Sequence, residues 1–273
     1  MKKHFKNPPQ CVRLNKFIAA SGVSSRRKAD RLILDGVVRV NGKTIKELGM
    51  QIDPKKDSVT VDGKSVRSTS ELIYVMFNKP TKVVTTMQDP EGRPCVGDYL
   101  SKTRGRLFPV GRLDWDSEGL LLLTNDGEFA QKVSHPRHDV SKTYLVKLNG
   151  QPSGEQIQKL LRGISIIGGK TKALAIHRME TRGSEKYDWI KIIINEGRNH
   201  QIRLMLAKIG FDVKKLQRIG IGALKLGPLE RGKFKILSQD DIKKIFTQPK
   251  ELRENRSFNP LRDSRTRLHK RVE

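Results

Sequence analysis

The chain has 273 residues, enough for two domains of ordinary size. Lys and Arg total 55 against 29 Asp and Glu, which gives a net charge of +26 and an isoelectric point near 10.3. This excess argues against an ordinary enzyme of small metabolites and favours a nucleic acid over a membrane surface as the partner.

Apolar runs and cysteines exclude further classes. No run approaches the roughly 18 apolar residues of a membrane span, and the first ten residues lack an apolar segment after their lysines. The two cysteines, Cys11 and Cys95, stand far apart and without the His spacing of a zinc site. We therefore expect a cytoplasmic protein with no membrane association, no disulfide framework and no metal.

Two short helices and a hairpin are predicted first. Apolar residues recur at helical spacing from Leu14 to Gly22, and Ser24 or Ser25 can cap a second helix. The run VVRVNGKTI then holds an Asn-Gly pair between two β-rich stretches, the strongest short-range hairpin signal, and SVTVDGKSV predicts another strand and turn. This is a small α/β unit.

Basic residues are concentrated in this unit. Arg26, Arg27 and Lys28 lie in the first turn of the second helix, where the helix dipole disfavours cations unless an anion compensates. The alternative is a solvated helix face. Because stacking aromatics are scarce, we expect recognition of RNA shape and backbone. The predicted RNA-binding residues are Arg13, Lys16, Arg26, Arg27, Lys28, Arg31 and Arg39.

The run VRLNKFIAASGVSSRRKADRLILDGVVRVNGKTI resembles the RNA-binding module of the small-subunit ribosomal protein four. The resemblance covers about thirty-five positions, with R-L-x-K followed by S-R-R-x-A and then V-N-G. It implies two helices and a hairpin that grip structured RNA. Because several kinds of protein contain this module, it indicates a partner and not a reaction.

Strands and helices mix beyond this unit. Strands are predicted at LIYVMF, KVVTTM, GLLLLT, TYLVKL and WIKIII, and helices at EFAQKVS, GEQIQKLLRG, NHQIRLMLAKIG and SQDDIKKIF. The fold class predicted is α+β, with a large mixed, mainly antiparallel sheet and flanking helices, plus the small N-terminal α/β domain. No internal repeat is evident.

Four segments are predicted along the chain. Residues 11–62 form the RNA-binding domain, 63–71 a polar linker, and 72–247 a catalytic domain. Residues 248–273 carry few apolar residues and many scattered cations, so we expect a disordered basic tail that adds affinity for RNA.

The segment LFPVGRLDWDSEGLLLLTNDG holds the candidate chemistry. Asp114 precedes a predicted strand, so its carboxylate can project from the edge of the sheet. Asp116 and Glu118 follow closely, and paired carboxylates suit acid/base chemistry at a glycosidic bond. Taken alone, these residues favour the plainer alternative that Asp114 caps a turn or pairs with Arg112.

The same segment is similar to the signature loop of the RsuA-like ribosomal pseudouridine synthases. Its pattern, G-R-L-D-x-x-(S/T)-x-G-L, is met at Gly111, Arg112, Leu113, Asp114, Ser117, Gly119 and Leu120. The runs SKTYLVKL, NEGRNHQIRLMLAKIG and KKLQRIGIGALKL resemble later stretches of that family, in the same order. The resemblance covers nearly the whole chain except its ends.

This resemblance implies a set of site residues. Asp114 is the catalytic carboxylate, Tyr144 stacks on the target base, and Leu216 packs on it. Arg203 pairs with the catalytic aspartate, although a phosphate contact is the alternative, and Arg112 is a substrate-binding residue. Because Arg203 lies early in a predicted helix, a carboxylate partner would offset the unfavourable dipole.

The resemblance implies a pseudouridine synthase that isomerises a specific uridine in ribosomal RNA or a ribosomal-subunit precursor. Large-subunit RNA is favoured slightly over small-subunit RNA. The alternatives are a non-catalytic ribosome-assembly factor and the same reaction on transfer RNA. No cofactor is expected, since the reaction is an isomerisation and no phosphate-binding loop is found. A monomer is the default expectation.

Overall fold

A computed structural model describes residues 11–67, 71–100, 103, 105–179 and 188–252. The contacts within it form two compact units. Among the described residues, the smaller contains those up to Ile73 and two short later segments, and the larger contains the others.

The described part of the smaller unit contains two helices and six short strands. The strands β1 and β4 pair with each other, and the other four form a sheet in the order β3-β2-β5-β6. The elements are β1 Val12–Arg13, α1 Leu14–Ala20, α2 Arg26–Leu34, β2 Val38–Val40, β3 Lys43–Thr44, β4 Gln51–Ile52, β5 Val59–Val61 and β6 Lys64–Val66.

The predicted local signals act in this unit as expected. Ser25 caps α2, because its side chain accepts a hydrogen bond from the Lys28 backbone N–H. Asn41 and Gly42 turn between β2 and β3 with φ of +50° and +81°, as the tight hairpin turn requires. The strand β6 lies within residues 63–71, the segment predicted as a linker, and pairs with β5.

The larger unit is built on one nine-stranded sheet flanked by helices. Two 3-10 helices, Val96–Tyr99 and Pro136–His138, lie in its connections. Its elements are β7 Tyr74–Lys79, β8 Phe108–Val110, β9 Ser117–Thr124, α3 Gly127–Ser134, β10 Lys142–Leu148, α4 Gly154–Arg162, β11 Ile164–Ile166, β12 Gly169–Thr171, β13 Ala175–Arg178, β14 Asp188–Ile194, α5 Gln201–Ala207, β15 Val213–Ile221, β16 Leu224–Lys225, β17 Phe234–Ile236 and α6 Gln239–Ile245.

The main sheet runs in the order β13-β14-β10-β15-β9-β7-β17, with β16 beside β15 and β8 beside β9. Its pairings are antiparallel except that β15 and β9 run parallel. The predicted mixed, mainly antiparallel sheet is therefore confirmed. Every residue of β9 is buried, so this strand passes through the centre of the unit.

Two strand assignments differ from the prediction. The prediction for KVVTTM is wrong, because Val84 makes only an isolated bridge to Cys95 and the run otherwise bends. Instead of pairing in a sheet, the Thr85 hydroxyl bonds to both the carbonyl and the N–H of Leu113. In contrast, β15 is the longest strand of the sheet, although KKLQRIGIG was not assigned to a strand from the sequence.

The first residues of the predicted tail are packed. Leu252 is buried against Ala175 and Ile193, and Lys191 pairs with Glu251 at 3.4 Å. These contacts place residues up to 252 in the larger unit, while the rest of the predicted disordered tail lies outside the described residues. In the described part of the chain, no helix is long and apolar enough to cross a membrane.

Candidate active site

A cavity of about 610 Å³ opens in the larger unit where β9, β10 and β15 lie side by side. Its wall includes the loop between β8 and β9, which carries Asp114, and the turn before α5. The predicted residues Arg112, Asp114, Tyr144 and Leu216 all line it. The structure thus brings together side chains that are up to about a hundred positions apart in the sequence.

The loop that carries Asp114 is held by its backbone. The ammonium group of Lys79, at the end of β7, donates hydrogen bonds to the carbonyl oxygens of Pro80, Asp114 and Ser117 at 2.8, 3.1 and 2.9 Å. Thr85 bonds to Leu113 from another side, at 2.6 Å. These contacts fix the backbone while the Asp114 carboxylate accepts no hydrogen bond from any described residue.

Burial lowers the pKa of Lys79 to about 8, although Asp114, Asp116 and Glu118 counteract this shift and Arg218 adds to it. Lys79 has no exposed surface. Its position is therefore costly for a charged group, and the three carbonyl acceptors compensate for the lost water.

Tyr144 and Arg218 lie opposite each other on β10 and β15, with the Tyr144 hydroxyl 3.5 Å from Nη1 of Arg218. Arg218 is 5% exposed and donates from Nε to the Leu120 carbonyl at 2.6 Å. Lys142 precedes Tyr144 by two residues on the same strand, so both side chains are on the cavity face of the sheet. Burial and the neighbouring Arg218 lower the pKa of Lys142 to about 8.

Gly119 allows the close approach of β9 to β15 at this point. Its φ is +104°, and a Cβ at this position would overlap the backbone of Arg218. Leu216 pairs with Ser117 in the same parallel ladder. The glycine of the signature loop therefore keeps β15, with Leu216 and Arg218, beside the strand that follows Asp114.

The structure corrects the predicted partner of Arg203. Its guanidinium pairs with Asp116, at 2.8 Å, and donates to the Val213 carbonyl. It does not pair with Asp114 and does not line the cavity. The helical register accounts for this, because the cavity end of α5 presents Gln201 and Ile202.

Glu118 is buried and also neutralised by cations. Lys215 and Arg231 lie 3.1 Å from its carboxylate oxygens. Because Asp116 and Glu118 both have cationic partners outside the cavity lining, neither forms the acid/base pair with Asp114 that the spacing suggested. Asp114 is the carboxylate that lines the cavity.

Sequence reasoning missed three basic residues of this site: Lys79, Lys142 and Arg218. The signals were present in part, since Lys142 stands two residues before Tyr144, and Arg218 two residues after Leu216. Alternation along a strand would have placed each pair on one face, but β15 was not recognised as a strand. In the described residues, no group of three His, Cys, Asp or Glu could hold a metal ion.

The smaller unit presents the other predicted residues as a basic surface. Six of the seven predicted cations are exposed, and Lys16 is half-buried. Arg26, Arg27 and Lys28 occupy the first turn of α2, where no acidic residue is present. None of these three forms an ion pair with a described residue, so their charge faces solvent without internal compensation.

Comparison with known proteins identifies both units. The model of the RNA pseudouridylate synthase family matches residues 73–208, and that of the S4 domain matches residues 12–58. A solved structure described as a pseudouridylate synthase aligns with a TM-score of 0.61 at 32% identity, over 86% of this chain and 99% of that one.

Two curated relatives extend over almost the same length. A ribosomal large subunit pseudouridine synthase B from Bacillus subtilis is 41% identical over 233 residues, which is 85% of this chain and 95% of the relative. An uncharacterized RNA pseudouridine synthase from Aquifex aeolicus is 40% identical over 236 residues, 86% of this chain and 94% of the relative.

Proposed function

The chain belongs to the RNA pseudouridylate synthase family and has an S4 domain at its N-terminus, and we propose that it isomerises a specific uridine of large-subunit ribosomal RNA with Asp114 as the catalytic carboxylate. The ribosomal substrate is supported by the relative from Bacillus subtilis, whose name assigns it to the large subunit. The high positive charge of the chain suits such a partner.

One observation supports the role of Asp114 above the others. Its backbone is held by Lys79, but its carboxylate faces the cavity and accepts no hydrogen bond from the described residues. The two carboxylates that follow, Asp116 and Glu118, are both held by cations. Asp114 is therefore available to act on a nucleotide, while its position is fixed in advance.

The target nucleotide reaches the cavity by leaving its stack. Flipping costs a few kcal/mol, and contacts between the basic surface of the protein and RNA phosphates offset this cost. Tyr144 stacks on the flipped base and Leu216 packs on it. Arg112 is exposed at the cavity wall and makes no ion pair with a described residue, so it contacts the RNA beside the flipped nucleotide.

Asp114 then acts on the ribose. It attacks C1′ as a nucleophile, or removes a proton from the ribose as a base, while the bond between C1′ and N1 opens. The uracil turns and its C5 bonds to C1′, while the bond from Asp114 to C1′ breaks or the ribose regains its proton from Asp114. The C5 proton is lost and N1 gains one, so the product is an isomer of uridine. Both routes require an ionised carboxylate near the sugar.

Arg203 is proposed as a positioning residue. Its ion pair with Asp116 joins α5 to the loop two residues after Asp114. The distance of 2.8 Å and the additional bond to Val213 define one orientation for the guanidinium. Arg203 therefore supports the catalytic loop from outside the cavity.

The basic surface of the smaller unit docks on the RNA. Cations in the first turn of α2 bind phosphates, because an anion there relieves their unfavourable interaction with the helix dipole. The proposed phosphate-binding residues are Arg13, Lys16, Arg26, Arg27, Lys28, Arg31 and Arg39. This surface provides affinity and orientation, while the cavity of the larger unit selects the uridine.

The proposed enzyme is a cytoplasmic monomer that needs no metal or cofactor. An isomerisation changes neither the oxidation state nor the atoms of the substrate, so it needs no redox partner or group donor. Full activity in excess EDTA and a monomeric mass by light scattering are expected. Activity that is lost in EDTA and restored by a divalent cation would contradict the proposal.

Pseudouridine mapping in cells that lack this protein tests the substrate. We expect one large-subunit site to lose its modification, while small-subunit and transfer RNA are unchanged. A lost site in transfer RNA would give the same chemistry a different substrate. Unchanged modification in all three RNAs, with altered subunit assembly, would favour a non-catalytic assembly factor.

A further inference from the structure

We propose that Lys142 and Arg218 form a cationic pair that stabilises the uracil anion as it leaves the ribose. The inference deepens the proposed function and depends on it. It assigns to two side chains that the sequence did not single out the task of holding the negative charge of the departing base.

The sheet places both cations in the lining of the cavity. Tyr144 lies opposite Arg218 across β10 and β15, and Lys142 is the next residue along β10 on the same face. A base that stacks on Tyr144 therefore has Arg218 near the tyrosine hydroxyl, and Lys142 one strand repeat away. All three side chains line the same cavity as Asp114.

The hydrogen-bonding capacity of the pair is incompletely used. Nη2 of Arg218 is buried and has no hydrogen-bond partner among the described residues. The Lys142 ammonium makes one long bond, of 3.4 Å, to the Asn195 carbonyl. Neither side chain forms an ion pair with a described residue, and their mutual repulsion contributes to the lowered pKa of Lys142. Two neighbouring like charges, one buried and one partly buried, are unfavourable until an anion enters.

Glycosidic cleavage produces such an anion. The bond between C1′ and N1 breaks with its electron pair going to N1, and the charge spreads over O2 and O4 of the uracil. Asp114 supplies the electrons that C1′ loses, either by bonding to C1′ or by removing a ribose proton. When C5 then bonds to C1′, the bond from Asp114 to C1′ breaks or the ribose takes its proton back from Asp114, so the carboxylate is regenerated. The C5 proton is released and N1 takes up a proton, so atoms and charge balance.

The timing of this charge makes the pair catalytic. Uracil is neutral in the bound substrate and becomes negative only as the bond breaks, so nearby cations interact more strongly with the transition state than with the ground state. An RNA phosphate is a weaker candidate for the ligand. Arg218 is only 5% exposed, whereas the phosphates of a flipped nucleotide stay near the mouth of the cavity, where Arg112 is exposed.

The pair is tested by the single-turnover rate at which the glycosidic bond of the target nucleotide breaks. Two RNAs are compared, one with uridine and one with 5-fluorouridine at the target position. Fluorine withdraws electrons and stabilises the uracil anion, so it substitutes in part for a lost cation. We expect Lys142→Gln to slow the breakage of the glycosidic bond by roughly 100-fold in the RNA with uridine. The slowing should be several-fold smaller in the RNA with 5-fluorouridine, and RNA affinity should be unchanged. Lys142→Arg should restore most of the rate.

Matched variants separate this role from folding. Lys147→Gln removes a charge from the same strand, outside the cavity lining. This variant should break the glycosidic bond in both RNAs at the wild-type rate. Arg218→Lys and Arg218→Gln both lose the Nε bond to Leu120. Only the lysine keeps the second cation, so Arg218→Lys should retain more activity than Arg218→Gln. Lys142→Gln keeps the test decisive if both Arg218 variants unfold.

The outcomes distinguish the inference from the proposed function. Equal losses on the two RNAs would overturn the leaving-group role, and a loss seen only as weaker RNA binding would assign the pair to a phosphate. A wild-type protein that breaks the target glycosidic bond in neither RNA would instead overturn the proposed function.

Discussion

Lys79 illustrates how a single buried side chain prepares the candidate site. It is fully buried, yet its ammonium group holds three carbonyls of the loop around Asp114. This contact leaves the carboxylate of Asp114 free, because the loop is fixed through its backbone. The residues that position the loop are therefore distinct from the residue proposed to react.

Replacing Lys79 with Met should lower kcat by at least roughly tenfold, because a misplaced catalytic group costs much of the benefit of orientation. RNA affinity should stay near the wild-type value, since Lys79 has no exposed surface. Single-turnover rates and filter binding measure the two effects. An unchanged rate in the folded variant would contradict the positioning role.

Alkaline pH should reduce activity before it affects the fold. Lys79 and Lys142 both have a pKa lowered from 10.5 to about 8, so they are charged below this pH and lose their protons as the pH rises through it. Lys79 faces Asp114, Asp116, Glu118 and Arg218, and Lys142 faces Arg218.

We therefore expect the single-turnover rate to decline above about pH 8. The unfolded chain binds more protons than the folded one between pH 8 and 10.5, so the penalty that these two charged lysines impose on folding is relieved as the pH rises through that range. Circular dichroism should thus stay constant where the rate falls. A rate that stays constant up to about pH 9.5 would contradict the prediction, because it would mean that the lysines keep a pKa near the ordinary value of 10.5.

Gly119→Ala should destabilise the larger unit by more than about 1 kcal/mol, because φ is positive and the new Cβ overlaps the Arg218 backbone. Activity should fall as well, since β15 carries Leu216 and Arg218. Urea unfolding measures the first effect, with Gly127→Ala as a control at a position that has open space. Equal unfolding midpoints would contradict this account of the glycine.

The sequence predicted the carboxylate of the cavity better than its surroundings. The signature loop led to Asp114, and the cavity brings Tyr144 and Leu216 to it. The partner of Arg203 was not predictable, because the loop offers Asp114 and Asp116, and spacing does not determine which side chain faces α5. Lys142 and Arg218 meet only through the long-range pairing of β10 with β15.

At the scale of elements, local signals predicted helices and hairpins well. Ser25 begins α2, and the Asn-Gly pair turns between β2 and β3. The β-branched run KVVTTM was predicted wrongly as a strand. Thr85 bonds to the carbonyl of Leu113 and Thr86 to that of Gln88, and neither extends a sheet. The polar start of β15 concealed a central strand, since its partners lie on both sides and come from distant parts of the chain.

The first turn of α2 offers a test of RNA docking. The triple variant Arg26→Gln, Arg27→Gln, Lys28→Gln should weaken RNA binding and reduce the slope of log affinity against log salt by about 2 to 3. The salt dependence of RNA affinity is measured on the full chain.

A control with the same charge change is Lys55→Gln, Lys56→Gln, Lys64→Gln, at three exposed positions of the same unit. Its effect on the slope should be smaller. Equal slopes for the two triple variants would show that net charge, rather than the placement of cations on α2, determines the binding.

For the whole molecule, the net charge of +26 is much larger than the charge of the three cations in the first turn of α2. Residues 253–273 contain seven Lys and Arg against three Asp and Glu. Deleting them should lower RNA affinity and the salt slope together, because fewer counterions are released. The rate of glycosidic bond breakage within the protein–RNA complex should be unchanged. An unaltered salt dependence would contradict a role of this segment in affinity.

Complementation tests the proposed enzyme activity, its substrate and its catalytic residue together. Cells that lack the protein receive the wild type, Asp114→Asn, or the control Asp240→Asn, whose exposed carboxylate pairs with Lys243 on α6. We expect the missing pseudouridine in large-subunit RNA to return with the wild type and with Asp240→Asn, but not with Asp114→Asn. Restoration of that pseudouridine by Asp114→Asn would contradict the account.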